Sequence, residues 1–304
     1  MPSPSTEFTA SSGAPRALGL PVGVRTATAP TFRSFLNPVR AIGNLWSHHD
    51  LVWQWAQRDV AARYRATRLG LLWSVLTPLV QLFIYTFIFA IVLRTRWGDN
   101  PDESRGEYAL AMFCGMLVYN VFSEVVNRAP GLVTGYPNYV KKLVFPLETI
   151  VVATIVSALI NMLVSLGVWF LGWLLIMRTW PHLTSVWLPV ALVPVCLTTL
   201  GLSWLVASLG VFVRDLGHAV SLFVQMLFFM TPIFYKAERV PYPYRIVLEI
   251  NPLSHAIEDA RRALMWGQPP DWLWWGAAML GSLVLAQVGY AFFMKSKRAF
   301  ADVL

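Results

Sequence analysis

The chain has 304 residues and a formal net charge of +8; 56% of its residues are hydrophobic and only 13% are charged. A soluble domain carries about 25% charged residues, so this composition excludes an ordinary soluble globular fold. The basic residues lie beside apolar runs of about 20 residues, the length that crosses a bilayer. The positive charge therefore indicates contact with a membrane surface, and no nucleic-acid partner is expected.

The first part of the sequence is rich in Ser, Thr, Ala and Pro, a composition that does not support a packed core. We predict that residues 1–45 form a flexible cytoplasmic tail and that residues 46–304 form a transmembrane domain. Just before the first long apolar run, an apolar helical face predicts an amphipathic helix lying in the lipid headgroup layer. This face is formed by Trp53, Ala56, Val60 and Tyr64.

Six apolar segments follow, and the fifth is the shortest. They span residues 70–93, 108–126, 149–177, 186–213, 219–234 and 272–293. We therefore predict an all-α integral membrane protein with six transmembrane helices. Cys114 and Cys196 lie inside predicted spans and are interpreted as buried apolar residues. The adjacent His48 and His49 have no supporting Cys or His spacing, so no metal site is predicted.

Lys and Arg residues cluster at four places that six spans would bring to the same side of the membrane. Because basic residues are enriched in cytoplasmic loops, this pattern predicts that both termini lie in the cytoplasm. The clusters are Arg58, Arg63, Arg65 and Arg68; Arg128, Lys141 and Lys142; Arg214; and Lys295, Lys297 and Arg298.

A short helical region is predicted outside the membrane, between the fifth and sixth spans. Asn251 would cap this helix and Pro252 would occupy its first position. An apolar stripe opposite a polar surface predicts that the helix rests on, or dips into, the outer leaflet. The stripe consists of Leu253, Ile257 and Leu264, and the polar surface of Glu258, Asp259, Arg261 and Arg262.

Five stretches in consistent order resemble the permease subunits of ABC-type polysaccharide exporters, which move O-antigens, capsules, teichoic acids and related polymers. The longest is RDVAARYRATRLGLLWSVLTPLVQLFIYTFIF at 58–89. The others are NYVKKLVFPLE at 138–148, VRDLGHAV at 213–220, MTPIFY at 230–235 and NPLSHAIEDARRALMWG at 251–267. The resemblance covers most of the chain apart from its N-terminal tail, for which it implies no role.

The resemblance implies a homodimer with a channel between the two copies, two bound ATP-binding cassette subunits, and a substrate glycan carried on a polyprenyl pyrophosphate lipid. The sequence itself contains no G-x-x-x-x-G-K-[ST] motif to cradle ATP phosphates. We therefore predict a transport subunit and not an enzyme, with no cofactor of its own. ATP and Mg would be bound by the partner ATPase.

Two polar stripes are candidates for the channel wall. At about 100° per residue, the stripe in the first span falls within about 80° of arc. Polar side chains are costly in hydrocarbon, so both stripes should face away from lipid; helix packing is the alternative interpretation. The stripes are Ser74, Thr77, Gln81 and Tyr85 in the first span, and Ser221, Gln225, Phe228 and Pro232 in the fifth.

Two further sets of residues are assigned to the cytoplasmic side. Arginines suit pyrophosphate because the planar guanidinium donates hydrogen bonds in pairs; membrane anchoring is the alternative. This set is Arg58, Arg63, Arg65 and Arg68. The inner loops are expected to contact the ATPase, or to be simple connectors, through Asn127, Arg128, Tyr139, Lys141, Lys142, Arg214 and Asp215.

The sequence allows more than one role for two acidic residues, and it allows two other classes of protein. Glu148 is interpreted as a helix cap or a partner contact, and Glu124 as a solvated residue near the membrane interface or a functional acid. A membrane glycosyltransferase using polyprenyl-linked sugars is the alternative function, with catalytic carboxylates among Asp99, Asp102 and Glu103. A passive channel or scaffold is the third class, and it would need no ATPase.

Overall fold

The computed structural model describes residues 37–65, 70, 72–95, 97, 104–141 and 145–303, without the side chains of Tyr64, Arg65 and Lys141. Within these ranges the regular structure is entirely helical. The helices are α1 (Pro38–Trp46), α2 (His49–Arg65), α3 (Leu72–Tyr85), α4 (Arg105–Arg128), α5 (Pro137–Lys141), α6 (Glu148–Met177), α7 (Leu188–Phe212), α8 (Leu216–Met230), α9 (Arg245–Ile250), α10 (Pro252–Leu264) and α11 (Trp272–Val303).

Among the described residues, five helical segments are long and apolar enough to cross a membrane: Leu72–Val92, Arg105–Gly131, Glu148–Met177, Leu183–Phe212 and Trp272–Val303. The first consists of α3 continued by a π-helix. The predicted fifth span corresponds to α8, which has 15 residues and is about 22 Å long, short of a bilayer core of about 30 Å. The all-helical membrane class is confirmed, whereas the count of six spans stays a prediction because of α8.

Helix starts follow local capping chemistry. Ser104 and Glu107 form a reciprocal capping box at the start of α4, with both hydrogen bonds 3.1 Å long. The predicted start of α10 is confirmed: Asn251 Oδ1 accepts a 3.0 Å hydrogen bond from the Leu253 backbone, with proline at the first helical position. These caps satisfy backbone N–H groups that would otherwise lack partners.

Helix α4 is the centre of the bundle and α3 lies at its periphery. In the most apolar window of each span, 83% of residues are buried for Arg105–Gly131 against 11% for Leu72–Val92. The backbones of α7 and α11 are in direct contact at Gly201 and Gly289. Only glycine fits at Gly289, because a Cβ there would lie 2.2 Å from the Gly201 carbonyl oxygen. Small residues permit such close packing between membrane helices.

The two ends of α4 contact different elements, and they define the two ends of the bundle. Arg128 contacts Asp59 of α2, whereas the carbonyl of Ala111 accepts a hydrogen bond from Arg261 of α10. These α4 residues are 17 positions apart, or about 25 Å along the axis. We call these regions the α2 end and the α10 end.

The face that α2 packs against the bundle overlaps only partly with the predicted apolar face, whose place in the headgroup layer stays a prediction. Trp53 is 52% exposed, whereas Val52 and Ala56 are buried. Asp59 and Arg63 lie on the same side as Ala56, because their charges have partners on α4 and α6. Helix α2 thus packs against the bundle with a partly charged face. Helix α1 occupies part of the segment predicted as a flexible tail.

Helix α10 is also more deeply embedded than its sequence pattern predicts. The apolar stripe is confirmed, since Leu253, Ile257 and Leu264 are all buried. Asp259 and Arg261 were assigned to the polar surface, and that assignment is wrong, because both are buried. The reason is that backbone groups of neighbouring segments satisfy both side chains inside the protein.

Candidate functional site

A cluster of four charged side chains joins α2, α4 and α6 at the α2 end. Arg128 donates to both oxygens of the Asp59 carboxylate, with an Nη1–Oδ2 distance of 2.7 Å, and Ser157 donates to Oδ2 at 2.6 Å. Arg63 pairs with Asp59 at 3.0 Å and also with Glu124. We call these five residues the charge cluster. Its two acids balance its two arginines, so it carries no net formal charge.

The charge cluster stabilises the ionised forms of Asp59 and Arg63. Burial alone would raise the pKa of Asp59, but hydrogen bonds from Arg128 and Ser157 and the charges of both arginines hold it well below its usual value. Burial alone would lower the pKa of Arg63, yet Glu124 and Asp59 raise it. Both groups are therefore charged at physiological pH.

One side of the charge cluster forms the wall of a cavity of about 340 Å³ between α3, α4 and α6, which we call the polar cavity. Hydroxyl and amide side chains dominate its polar lining, and Arg63 and Glu124 contribute the two charged groups. Such a lining can hydrogen-bond a polyhydroxyl ligand from several directions. The polar residues are Arg63, Ser74, Thr77, Gln81, Asn120, Ser123, Glu124, Asn161 and Ser165.

The other side of the charge cluster borders a second space of about 220 Å³, which we call the aromatic cavity. Trp55 packs edge-on against Tyr136 and Tyr139, with ring centroids 5.0 and 5.3 Å away. Arg58 and Arg128 lie on its wall beside these rings. The charge cluster thus separates two cavities of different chemistry.

The structure brings part of the predicted channel stripes together. Ser74, Thr77 and Gln81 of α3 all line the polar cavity. Tyr85, at the end of α3, contacts Phe228 of α8 with ring centroids 5.7 Å apart. The aromatic residues of the two stripes, Tyr85 and Phe228, are therefore in contact.

The remaining residues of the α8 stripe are separate from the polar cavity. Ser221 and Gln225 are exposed on the surface of the single chain. Pro232 lies beyond the end of α8 and is buried, where its carbonyl accepts a hydrogen bond from Arg261. Exposed polar residues on an apolar helix are expected to face water or another protein chain and not lipid.

The two described arginines of the set proposed for pyrophosphate binding have different surroundings. Arg58 is exposed at the aromatic cavity, whereas Arg63 is engaged in the charge cluster. The side chain of Arg65, and all of Arg68, lie outside the described residues. Among the described arginines of this set, Arg58 has the more accessible side chain.

The residues assigned to the ATPase interface also divide. Arg128 belongs to the charge cluster and Tyr139 to the aromatic cavity. Asn127, Arg214 and Asp215 are exposed at the α2 end or between α7 and α8. The side chain of Lys141, and all of Lys142, lie outside the described residues.

Glu148 has a role that sequence reasoning missed. Its carboxylate is buried, pairs with Lys297 of α11 at 2.8 Å and accepts a 2.9 Å hydrogen bond from Asn44 of α1. Asn44 Nδ2 also lies 3.0 Å from the Tyr290 hydroxyl. Glu148 therefore joins α1, α6 and α11, neither as a simple cap nor as an exposed partner contact. No local pattern links residues so far apart in sequence.

Sequence reasoning also did not predict that Arg261 is buried. Its guanidinium donates to the carbonyl oxygens of Ala111, Pro232 and Ile233 at 2.8–3.0 Å. It also lies 3.8 Å from the ring centroid of Trp97. One side chain thus connects α10, α4 and the segment after α8.

The polar cavity and the charge cluster lie within one helical bundle. The sequence of this bundle matches a known family. The sequence model for ABC-2 type transporters matches residues 50–265, more than half of the chain. The chain belongs to the ABC-2 type transporter family. The family prediction is thereby confirmed, and the matched residues include α2, the polar cavity and α10.

Individual relatives of this ABC-2 chain cover nearly all of it. An O-antigen export system permease protein of Klebsiella pneumoniae is 28% identical over 86% of this chain and 97% of its own length. A protein of the same description from Myxococcus xanthus is 26% identical over 87% and 99%. A polysialic acid transport protein of Escherichia coli is 25% identical over 80% and 92%.

Proposed function

We propose that this ABC-2 chain is the permease subunit of an ATP-driven exporter that moves a lipid-linked polysaccharide across the bacterial inner membrane. The observation that carries the proposal is the near full-length similarity to proteins described as O-antigen export permeases and polysialic acid transporters. These descriptions have a long glycan in common, and they favour export over the alternative of a membrane glycosyltransferase.

The polar cavity suits such a substrate chemically. Sugars present hydroxyl groups that both donate and accept hydrogen bonds, and Ser, Thr, Asn and Gln side chains can do the same. The cavity lies between three apolar spans, where polar side chains are costly unless they are paired or wet. Thr77 and Gln81 would contact the glycan, and the contact between Tyr85 and Phe228 would mark the next part of the path.

The working assembly in this proposal contains two copies of the chain and two ATP-binding cassette subunits, which bind ATP and Mg. The exposed faces of the first span and of α8 support a homodimer. Phe83 on α3 and Phe87 on the π-helix that follows it are at least half exposed, and Leu222 is 63% exposed on α8. A second copy covering these faces would also place Ser221 and Gln225 along a shared path. Both termini would be cytoplasmic.

At the cytoplasmic side, the proposal assigns separate roles to the arginines. Arg58 would attract the pyrophosphate headgroup of the substrate, while Arg63 holds the charge cluster together. The ATPase would contact the surface formed by Asn127, Tyr139, Arg214 and Asp215. Movements of that surface would reach the polar cavity through Arg128 and the charge cluster, which is a physically continuous connection.

The function is tested with inverted membrane vesicles that contain the chain, a co-expressed partner ATPase and a lipid-linked glycan. We expect ATP-dependent protection of the glycan from an added glycan-degrading enzyme, because export from the cytoplasmic face delivers it into the vesicle. Vesicles with an ATPase lacking its P-loop lysine are the control. Protection without ATP would indicate a passive channel. Chain-dependent conversion of a polyprenyl-linked sugar donor would indicate a glycosyltransferase and contradict the proposal.

The path is tested with single cysteines on a background lacking Cys114 and Cys196, both of which are free thiols. Gln81→Cys and Gln225→Cys are expected to react with a water-soluble thiol reagent, and substrate is expected to protect them. Leu163→Cys is the lipid-facing control, because Leu163 is 65% exposed near the middle of α6, an apolar span. If the cysteines at both glutamine positions react no faster than this control, at rest and during turnover, the two stripes serve helix packing and do not line the path.

A further inference from the structure

Two neighbouring cavities at the α10 end have opposite chemistry. The first, of about 510 Å³, is lined mainly by charged side chains of the α8–α9 connection, α9 and α10; we call it the charged pocket. The second, of about 490 Å³, lies between α7, α9 and α11 and is lined mainly by apolar groups; we call it the apolar groove. Glu249, His255 and Trp274 line both of them. The two cavities are therefore adjacent parts of one amphipathic surface.

Side-chain contacts connect the residues of the shared wall. The rings of His255 and Trp274 stack with centroids 4.6 Å apart and planes inclined by 11°. A His255 ring nitrogen, Nε2, lies 2.6 Å from the Glu249 carbonyl oxygen, and the Glu249 carboxylate pairs with Arg245 at 2.9 Å. These contacts fix the boundary between charged and apolar surfaces without help from a ligand.

The apolar groove lies at the depth of lipid chains. Trp272 begins α11, and the groove residues Ala277 and Leu285 follow 5 and 13 positions later, about 8 and 20 Å further along the helix. Because α11 is long and apolar enough to cross a hydrocarbon core of about 30 Å, this range is expected to lie among the lipid acyl chains. Ala278 and Gly281 are small residues on the α11 side of the groove, so they leave its space open. A Cβ on Gly281 would meet no atom within 4 Å.

The charged pocket carries both signs of charge in a small space. Carboxylates outnumber cationic groups, so a ligand with several negative charges, such as a pyrophosphate, is disfavoured. A zwitterionic headgroup can pair its ammonium with a carboxylate and its phosphate with an arginine. The carboxylates are Glu238, Glu249, Glu258, Asp259 and Asp271, and the cations are Lys236, Arg245 and Arg262.

We infer that the charged pocket and the apolar groove together bind one phospholipid with an ammonium-bearing zwitterionic headgroup, of the phosphatidylethanolamine type. Its headgroup occupies the charged pocket and one acyl chain occupies the apolar groove. The bound lipid fills the space between α9 and α11, and so supports the segment that carries Arg261. This site is distinct from the polar cavity and does not depend on the substrate assigned to the exporter.

The acyl-chain half of the site is tested with Gly281→Leu. A Cβ at this position faces open space, so the leucine side chain would occupy the volume of the groove. Gly276→Leu is the matched control, since it lies on the same helix, also has open space at its Cβ, and is outside the groove lining. The full-length protein in detergent is titrated with palmitoyl-oleoyl phosphatidylethanolamine and observed by native mass spectrometry. We expect one tightly retained lipid per chain, at least tenfold weaker retention in Gly281→Leu, and unchanged retention in Gly276→Leu.

The headgroup half is tested by comparing phosphatidylethanolamine with phosphatidylglycerol of the same chains, and with polyprenyl pyrophosphate. We expect preference for phosphatidylethanolamine, and Glu249→Gln should reduce that preference at least threefold because it removes a carboxylate partner of the ammonium. Equal retention of phosphatidylglycerol overturns the inference. So does retention of phosphatidylethanolamine in Gly281→Leu, or stronger retention of polyprenyl pyrophosphate in the unmodified protein, which would assign the site to the substrate's lipid.

Discussion

Asp59 at the α2 end and Asp259 at the α10 end are both largely removed from solvent, yet their environments act in opposite directions. Asp59 is paired with two arginines, and its pKa is held well below the usual range. Burial raises the pKa of Asp259 to about 6, although the Asp271 backbone N–H donates to it at 2.8 Å. The difference shows that a buried carboxylate stays ionised at neutral pH only where cations and hydrogen-bond donors offset the lost hydration.

The same contrast applies to the arginines. Arg63 and Arg128 are held by carboxylates, whereas Arg261 is held mainly by carbonyl oxygens, with the Glu258 carboxylate more distant at 3.6 Å. The α2 end is thus assembled by charge pairs, and the α10 end by backbone dipoles around one cation. The variants below test this contrast in decreasing order of expected effect.

The largest effect is expected for Arg261→Leu at the α10 end. The change leaves the buried carbonyl oxygens of Pro232 and Ile233 without their donor, whereas the Ala111 carbonyl keeps its hydrogen bond within α4. Each unpaired group costs about 1–3 kcal/mol. A loss of about 3 kcal/mol would lower the unfolding midpoint by roughly 6–12 °C. The midpoint is measured in detergent by loss of monodisperse protein on heating. Arg262→Leu is the matched control, and an equal loss there would contradict the carbonyl-held arrangement.

The next effect is expected for Asp59→Asn at the α2 end. Asn cannot offset the charges of Arg63 and Arg128, so we expect a loss of about 2–3 kcal/mol at pH 7. Because the folded pKa of Asp59 is depressed, this stabilisation is present above its unfolded pKa of about 4 and is lost as pH falls below that value. Melting curves from pH 3 to 8 check both points. Asp50→Asn, on the exposed start of α2, should change little.

Asp259→Asn is expected to have a smaller effect of opposite sign. The raised pKa means that the native form binds a proton more tightly than the unfolded chain, so its contribution is full below about pH 4 and is lost as pH rises through about 6. Replacement by Asn keeps a neutral acceptor for the Asp271 N–H, and should stabilise the protein by about 1–2 kcal/mol at pH 7.5. Titration from pH 4 to 8 measures it. A loss of stability at pH 7.5 would show that Asp259 is needed as an anion.

Much of the fold follows from composition and local chemistry. Apolar runs predict the spans, and Asn251-Pro252 predicts the start of α10. Ser74, Thr77 and Gln81 were grouped by helical period alone, and they do line one cavity. Periodicity describes only one helix at a time, however, so it cannot show which charges meet across helices.

The errors arise from contacts between distant segments. Arg261 and Asp259 have the pattern of an exposed helix face, and they are buried because Ala111 and Asp271 supply backbone partners. Glu148 meets Lys297 from 149 residues away. Long-range pairing of this kind leaves no spacing signal in one sequence.

The smallest effect is expected from salt, and it separates the two ends most directly. Raising NaCl from 0.1 to 1 M shortens the Debye length from about 10 to about 3 Å. The side chains of Asp59 and Arg128 are 21% and 34% exposed, so ions can partly screen their pair, whereas the Arg261 side chain is fully buried among carbonyl groups. The stability difference between unmodified protein and Asp59→Asn should therefore shrink by about 0.5 kcal/mol. The difference for Arg261→Leu should stay constant within error when both series of melting curves are compared. Equal shrinkage in the two series would mean that ions reach the α10 end, and that Arg261 depends on Glu258 more than on the carbonyl oxygens.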